Sequence, residues 1–202
     1  IVPAAAVLNA AGERWSLSYF EAVNFGAFCG STEKTWTIAE RIIAEAERLG
    51  VERVVICECG AAYRVMRDMS SGRPFEVLTL VQLMAEYVQE GRIRLDRDLL
   101  SRQRVTYHDP CQIGRNGGVF DEPRALLACL GADLLEMDPT REENWCCGGG
   151  GGLVALGAED FRMRSSRIKA DQIRTTGAEV VVTACENCHT QLSDLSTYYE
   201  LG

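Results

Sequence analysis

The residues of this sequence best suited to bind a metal are five cysteines in its second half. They are Cys111, the adjacent pair Cys146-Cys147, and the two cysteines of a Cys-x-x-Cys motif, Cys185 and Cys188. An adjacent pair normally points its side chains apart, and it serves one site only in a tight turn of the kind that glycine permits. The run of five glycines that starts at Gly148 permits such a turn, and its N–H groups are suited to hydrogen-bond to sulfur.

The number of thiols bears on which metal they would hold. A structural zinc site and a cubane iron–sulfur cluster each use four protein ligands. Five thiols that include an adjacent pair are better suited to a larger or irregular cluster, in which one thiolate bridges. Zinc is an alternative, since thiolate sites accept several metals. Buried cysteines without any metal are a further alternative, and they are the default when a cysteine stands alone.

The composition excludes several classes of protein. Of the 202 residues, 47% are hydrophobic and 25% charged, and the net charge of −8 argues against a nucleic-acid partner. Nine cysteines cannot all pair as disulfides, so thiolates that bind metal in a reducing, cytoplasmic compartment are expected. The uncharged run at residues 1–12 is too short to span a membrane. The chain starts at Ile1 without the basic region of a signal peptide, so we expect a fragment of a longer protein.

Hydrophobic periodicity predicts alternating helices and strands. The first half is expected to contain a helix over 36–49 ended by Gly50, a strand over 51–56, and a strand leading into a helix over 75–89. A charged connector over 92–104 separates the two halves. The second half is expected to contain strands over 105–108, 134–137 and 179–183 and helices over 122–130 and 159–175.

The two halves look like copies of one α/β unit. The segments 39–59 and 167–188 share the order helix, glycine, strand and cysteine motif. Helices that alternate with short buried strands favour parallel pairing, and ligand sites lie beyond the carboxyl ends of such strands. The expected fold is α/β, with two pseudo-symmetric Rossmann-like lobes, each a short parallel sheet flanked by helices. Residues 1–104 are expected to form a degenerate lobe and residues 105–202 the complete one.

Several residues near these motifs are candidates for catalysis. His108 is placed to donate a proton to a leaving thiolate, although a histidine that fixes the loop by a local hydrogen bond is an equal alternative. Cys59 is expected to line a substrate cleft between the lobes, with Cys29 and Cys57 nearby, or else to pack as an ordinary buried thiol. The charge-rich helical segment 160–169 is expected to face solvent.

Two strings of this sequence resemble the signature of a known family. Residues 107–111, Tyr-His-Asp-Pro-Cys, and residues 145–151, Trp-Cys-Cys-Gly-Gly-Gly-Gly, are similar to those of the cysteine-rich CCG domain. That domain occurs in heterodisulfide reductase subunits and in iron–sulfur subunits of lactate and glycolate oxidation. The resemblance covers residues 105–195 and implies a non-cubane 4Fe-4S cluster at a disulfide-reducing site. The implied ligands are Cys111, Cys146, Cys147, Cys185 and Cys188, with Gly148 beside the cluster.

The first half resembles DsrK-type subunits of membrane complexes in sulfate reducers, through residues 15–17, 20–26 and 58–60. This resemblance implies a domain that passes electrons from a quinol or ferredoxin-type chain to a disulfide or trisulfide. The substrate would be a small partner protein or a thiol compound, and other subunits of a redox complex on the cytoplasmic face of a membrane would be partners. Phe28 replaces a cysteine of the family pattern and Cys57-x-Cys59 replaces Cys-x-x-Cys, so no equivalent cluster is expected in this half.

Two other functions are open on the sequence alone. The same cluster would serve a pure electron-transfer subunit of a lactate- or glycolate-type oxidase, in which no disulfide is cleaved. A zinc-stabilised module would be non-enzymatic and would only scaffold a complex.

Overall fold

The computed structural model describes residues 2–18 and 23–201, so residues 20–22 of the segment that resembles DsrK-type subunits lie outside the described residues. The chain divides into two compact units, Ile1–Arg94 and Leu95–Gly202. The predicted fold class is confirmed, because each unit contains a short, wholly parallel sheet flanked by helices. Among the helices of the described residues, none is both long and apolar enough to cross a bilayer.

The first unit pairs two parallel strands between helices. Its elements are α1 (Val2–Ala10), α2 (Val23–Phe28), α3 (Thr32–Leu49), β1 (Arg53–Ile56), α4 (Gly60–Met69), β2 (Glu76–Thr79) and α5 (Leu80–Gln89). α3 begins earlier than the predicted helix, because the Ser31 side chain accepts a hydrogen bond from the Lys34 N–H at 3.2 Å. It ends at Gly50, whose φ of 64° suits glycine. Periodicity does not predict α4, which begins directly after Cys59.

The second unit has a three-stranded parallel sheet with β3 at its centre. Its elements are β3 (Arg104–Tyr107), α6 (Asp121–Cys129), β4 (Asp133–Leu134), a 3-10 turn (Arg141–Glu143), α7 (Glu159–Ser165), α8 (Arg167–Thr176), β5 (Val180–Val182) and α9 (Glu186–Tyr199). Val105 of β3 pairs with Leu134 on one side and Val180 on the other. β4 is shorter than the predicted strand, because the chain leaves the sheet where Glu136 binds the Arg124 guanidinium at 2.6 Å.

The helix predicted over 159–175 is interrupted at Ser166, which separates α7 from α8. Ser166 is fully buried, and its Oγ accepts a hydrogen bond from Gln191 Nε2 at 3.2 Å. A Cβ on Gly148 would lie 1.9 Å from the same Oγ. The interruption therefore lies where the glycine run packs against the helix, a tertiary contact that the periodicity does not report.

The prediction that segment 160–169 faces solvent holds for Asp160, Arg164 and Arg167 but is wrong for Arg162 and Lys169. Arg162 is 6% exposed, and its Nη1 donates to Gln191 Oε1 at 2.5 Å and to Asp194 Oδ2 at 2.9 Å. Lys169 is completely buried. These charges are inside because α7 and α8 turn one face toward α9 and toward the chain that precedes the cysteine pair.

A buried ion pair holds the loop that follows β3. The Arg124 guanidinium donates through Nη1 and Nη2 to the two oxygens of Asp109, each at 2.9 Å, and neither side chain is more than 9% exposed. Asp109 Oδ2 also accepts the backbone N–H of Arg141 at 3.1 Å. The pair thus joins the loop at residues 108–111 to α6 and to the 3-10 turn.

We expect Arg124→Met to lower the free energy of unfolding of this unit by about 3–5 kcal/mol, because it leaves the Asp109 carboxylate buried without its partner. Urea unfolding followed by circular dichroism measures the change. Arg167→Met is the matched control, since the exposed pair of Arg167 with Asp171 contributes less than about 1 kcal/mol. Equal losses in the two variants would contradict the importance of the buried pair.

Candidate metal centre

The three cysteine loops of the second unit reach one region because two of them follow adjacent parallel strands. Cys111 begins the turn that follows β3 and residues 108–110, and Cys185 comes after β5 at the N-cap position of α9. Cys188 lies in the first turn of that helix. The pair Cys146-Cys147 arrives on the segment between the 3-10 turn and α7. Strand ends that share a sheet edge therefore position three of the five thiols.

The structure brings all five thiols into one connected group. Cys147 Sγ lies 3.3 Å from Cys188 Sγ, and both residues are buried. Cys146 interacts with the thiols of Cys111 and Cys147, and Cys188 interacts with that of Cys185. The contacts thus run in the order Cys111, Cys146, Cys147, Cys188 and Cys185. Within the described part of the chain, none of these five is in a disulfide.

The glycine run supports the adjacent pair through its backbone. The Gly148 N–H donates to Cys146 Sγ at 3.4 Å, and the Gly149 N–H donates to Cys147 Sγ at 3.5 Å. Gly148 has a φ of 84°, in the left-handed region that favours glycine. This conformation lets consecutive cysteines turn toward a common site, as the sequence predicts.

The thiols cannot all ionise without a cation among them. Hydrogen bonds from Cys111 and Cys147, with the Gly148 N–H, lower the pKa of Cys146. The neighbouring Cys146 sulfur in turn raises the pKa of Cys111 and Cys147, and the thiols of Cys147 and Cys185 raise that of Cys188. Among these four thiols, Cys146 is therefore the one whose thiolate form is favoured. A bound cationic centre would stabilise the remaining thiolates, so this donor set fits a thiolate-ligated metal group.

His108 lies against the buried end of this group. One of its ring nitrogens and the sulfurs of Cys147 and Cys188 all lie within 4.8 Å of one another. Burial, and then the positive charge of Lys169, lower the pKa of His108 to about 3. The low pKa favours the neutral imidazole near pH 7. Its Nδ1 lies 3.2 Å from Asn144 Nδ2.

Lys169 is the residue that the sequence reasoning most clearly misses. Its ammonium donates to Asn144 Oδ1 at 2.6 Å and to Gln172 Oε1, and it contacts Met137 Sδ at 3.4 Å. Burial lowers the pKa of Lys169 to about 8, against the opposing effect of the nearby Cys147 and Cys146 sulfurs. Its spacing from the buried Ser166 and Ile173 is the signal that could have placed it inside.

The first unit has three cysteines of its own. Cys59 is half-buried and caps α4, Cys57 is half-buried, and Cys29 is exposed. Burial raises the pKa of Cys57. Across residues 2–18 and 23–201, the one group of three His, Cys, Asp or Glu ligand atoms within 4.8 Å of each other is the one that contains His108. Cys29, Cys57 and Cys59 do not form such a group in the described part of the chain.

Comparisons with known proteins match these observations. Residues 105–193 match the family model of the cysteine-rich CCG domain, so the resemblance that the signature strings indicate is confirmed. The chain is 31% identical over 163 residues to a subunit of the dihydromethanophenazine:CoB–CoM heterodisulfide reductase of Methanosarcina barkeri. It is 25% identical over 229 residues to the Hdr-like menaquinol oxidoreductase iron-sulfur subunit 2 of Archaeoglobus fulgidus. It is 28% identical over 166 residues to the EtfAB:quinone oxidoreductase of Syntrophomonas wolfei.

These similarities cover most of this chain but a minor part of each relative. The aligned regions include 78%, 93% and 78% of this chain, in the same order. They span 39%, 41% and 23% of the three relatives. The chain therefore corresponds to one portion of larger proteins.

We expect Gly148→Ala to destabilise the second unit by about 2–4 kcal/mol, because a Cβ would force a left-handed alanine against Ser166. Gly150→Ala is the matched control in the same glycine run, since a Cβ there meets nothing within 4 Å. Urea unfolding of both variants measures the difference. Equal stability of the two would show that the glycine run does not pack as described.

Proposed function

We propose that the CCG cysteine-rich domain at residues 105–193 binds an iron–sulfur cluster and acts as the redox centre of a heterodisulfide reductase-like oxidoreductase. The observation that supports this proposal best is the connected group of five thiols, of which Cys147 and Cys188 lie 3.3 Å apart. The proposed ligands are Cys111, Cys146, Cys147, Cys185 and Cys188. Names of relatives favour iron over zinc, since the Archaeoglobus fulgidus protein is named an iron-sulfur subunit.

The number of thiols favours a non-cubane 4Fe-4S cluster over zinc. A structural zinc ion takes four ligands, and a fifth thiol in contact with the others would then have no ligand role. When bound, the cluster supplies single electrons to a substrate disulfide, whose reduction to two thiols consumes two electrons and two protons. The protein contributes position, exclusion of water and electrostatics.

The burial of the thiols suggests the side from which a substrate approaches. Cys146 is exposed and Cys111 half-buried, whereas Cys147, Cys185 and Cys188 are buried. The Trp145 side chain, 46% exposed, lies next to the open side. A disulfide-bearing protein or thiol substrate would therefore meet Cys146 first, with the hydrophobic face of Trp145 available to a partner.

The first unit is best explained as a degenerate copy of the second, so we propose that the two units are the related lobes that the sequence predicts over residues 1–104 and 105–202. In each unit a helix ends at a left-handed glycine, Gly50 or Gly177, and leads into a parallel strand. The strand is then followed by an extended cysteine that caps the next helix, Cys59 or Cys185. Cys59 thus occupies the position of the ligand Cys185 in a lobe whose other cysteines do not reproduce the five-thiol pattern.

A cytoplasmic location and a role beside other redox proteins follow from the same chemistry. All nine cysteines are thiols in the structure, which favours a reducing compartment. The relatives named as parts of a menaquinol oxidoreductase and of a heterodisulfide reductase suggest a quinol or ferredoxin-type electron source and partner subunits. A complex on the cytoplasmic face of a membrane would meet both conditions.

A second function is favoured by the relative that is named an EtfAB:quinone oxidoreductase. In that case the same centre would pass electrons between partners without cleaving a disulfide. Anaerobic single-turnover assays of the reduced protein with a disulfide-bearing protein distinguish the two, because only the reductase releases labelled thiols.

We expect protein purified under anaerobic conditions to contain iron and sulfide, and Cys147→Ser to lose both. Cys147 lies at the middle of the thiol group, so its removal breaks the contact between the two halves of the set. Cys129→Ser is the control, since Cys129 ends α6 and lies outside the five-thiol group. Iron and sulfide analysis with absorption spectra measures both variants. A colourless wild-type protein that contains zinc would contradict the proposal.

We expect Cys59→Ala to keep its iron but to reduce a substrate disulfide more slowly, because Cys59 is proposed to contact substrate and not the cluster. Iron content and thiol release in an anaerobic single turnover measure the two properties on the same sample. Full thiol release by an iron-replete Cys59→Ala protein would remove Cys59 from the mechanism and leave it a packing role.

A further inference from the structure

A buried chain of three polar side chains ends at the thiol group. Lys169 is completely buried, Asn144 is 4% exposed and His108 is completely buried. Lys169 Nζ donates to Asn144 Oδ1 at 2.6 Å, and Asn144 Nδ2 lies 3.2 Å from His108 Nδ1. Burying a lysine is costly unless its ammonium is hydrogen-bonded, so this arrangement calls for an explanation.

The partners of Asn144 fix the orientation of its amide. The Lys169 ammonium can only donate, so the amide atom that it meets must be the oxygen. The backbone carbonyl of Asp109 can only accept, and it lies 3.1 Å from the amide nitrogen. Both contacts independently place Nδ2 toward His108. A flipped amide would put its NH2 group against the Lys169 ammonium, and its oxygen against the Asp109 carbonyl oxygen.

This orientation fixes the tautomer of His108. The amide nitrogen Nδ2 carries two protons and no available lone pair, so His108 Nδ1 must accept its hydrogen bond. A neutral imidazole that accepts at Nδ1 carries its single proton on Nε2. Among the contacts of the described residues, Nε2 is buried and has no hydrogen-bond partner. The ring that carries this unpaired N–H has a nitrogen within 4.8 Å of the Cys147 and Cys188 sulfurs, at the buried end of the thiol group.

The same reasoning argues against His108 as a metal ligand. A histidine that binds metal through one nitrogen normally donates the proton on the other to a carboxylate, carbonyl or water. Here the other nitrogen faces the NH2 group of Asn144, which is itself a donor. If Nε2 bound a metal, the imidazole proton would be on Nδ1 and would face the N–H group of Asn144, which is also a donor. If Nε2–H instead donates to sulfur, then Lys169, Asn144 and His108 all have suitable hydrogen-bond partners.

We propose that Lys169 and Asn144 are positioning residues that orient His108 so that its unpaired Nε2–H can donate to sulfur when Cys147 and Cys188 hold a cluster. The inference rests on the proposed function in one respect, namely that these sulfurs belong to a cluster. A hydrogen bond to cluster sulfur stabilises the reduced, more negative state and raises the reduction potential. The Lys169 ammonium acts in the same direction through its charge, and through Asn144 it orients the donor.

The tautomer is measured directly in the wild-type protein by 15N NMR after labelling with 15N-histidine. The chain has only two histidines, and the exposed His189 is identified by His189→Gln. At neutral pH we expect the buried imidazole to be unprotonated at Nδ1 and protonated at Nε2. A proton on Nδ1, or an Nε2 bound to metal, would overturn the inference. This measurement uses the wild-type chain of Lys169, Asn144 and His108, so it does not depend on whether a variant of these residues folds.

The effect on potential is measured by anaerobic redox titration of the cluster, followed by electron paramagnetic resonance. In Lys169→Met we expect the ratio of oxidised to reduced cluster, at the wild-type midpoint, to rise at least tenfold, which is 59 mV for a one-electron couple. Lys34→Met is the matched control, because Lys34 is the only other lysine of the chain and is exposed. An unchanged potential in Lys169→Met would overturn the proposal, as would an equal shift in Lys34→Met.

A double-mutant cycle separates two effects of Lys169 on the potential: its action through Asn144 and His108, here called the relay, and the direct effect of its charge. If Lys169 acts through His108, its removal shifts the potential less in a His108→Phe background than in the wild type. Fully additive shifts would refute the relay. The iron content of the wild-type protein is measured first, and an iron-free protein would refute the proposed function. The tautomer of His108 does not depend on iron, so its measurement would still test the orientation of Asn144 and His108.

Discussion

The second unit is organised around one buried side-chain amide, that of Asn144. It is the residue just after the 3-10 turn, two positions before the cysteine pair, and it binds two separate parts of the unit. Its oxygen accepts from Lys169 of α8, and its nitrogen meets both His108 and the carbonyl of Asp109 after β3. The loop that follows Cys111 adds a second clamp, because Arg115 donates to the carbonyl of Asn144 at 2.6 Å. The cysteine pair is therefore held relative to Cys111 by polar contacts that do not involve sulfur.

Buried polar groups of this kind are favourable only when each has its partner, and here the partners come from different loops. Arg124 has the carboxylates of Asp109 and Glu136, and Arg162 has that of Asp194. Lys169 differs, since among the described residues its hydrogen-bond partners are neutral. The thiols of Cys147 and Cys146 raise the pKa of Lys169 more than any other neighbouring group does. A negatively charged cluster at the thiols would give this lysine a counter-charge, and that relation links the packing of α8 to the chemistry of the site.

The sequence predicts well those features that depend on local pattern. β-branched runs locate the strands, and Gly50 and Gly177 locate the ends of two helices, since left-handed glycines terminate helices in a recognisable way. The motif spacing of the five cysteines likewise predicts a single group, because the loops after parallel strands share one edge of the sheet. In the structure these thiols are linked by pairwise contacts, with Cys147 Sγ 3.3 Å from Cys188 Sγ.

Features that depend on distant partners are not predictable in this way. Lys169 lies in a charge-rich segment that looks solvent-exposed, and its partner Asn144 is on another loop. The interruption of the helix at Ser166 depends on Gly148, which has no sequence relation to it. His108 is recognisable as part of a motif, but its neutral state follows from burial and from Lys169. Each of these requires the assembled unit, because no local pattern encodes contacts between separate loops.

The central claim is that five thiolates of one domain hold an iron–sulfur cluster. The most direct test is an anomalous difference map at the iron edge, from crystals grown without oxygen. The account predicts iron at about 2.3 Å, an ordinary metal–thiolate distance, from the sulfurs of all five cysteines: Cys111, Cys146, Cys147, Cys185 and Cys188. Metal bound by His108 with only Cys147 and Cys188, or a cluster that leaves any of the five sulfurs unligated, would contradict it.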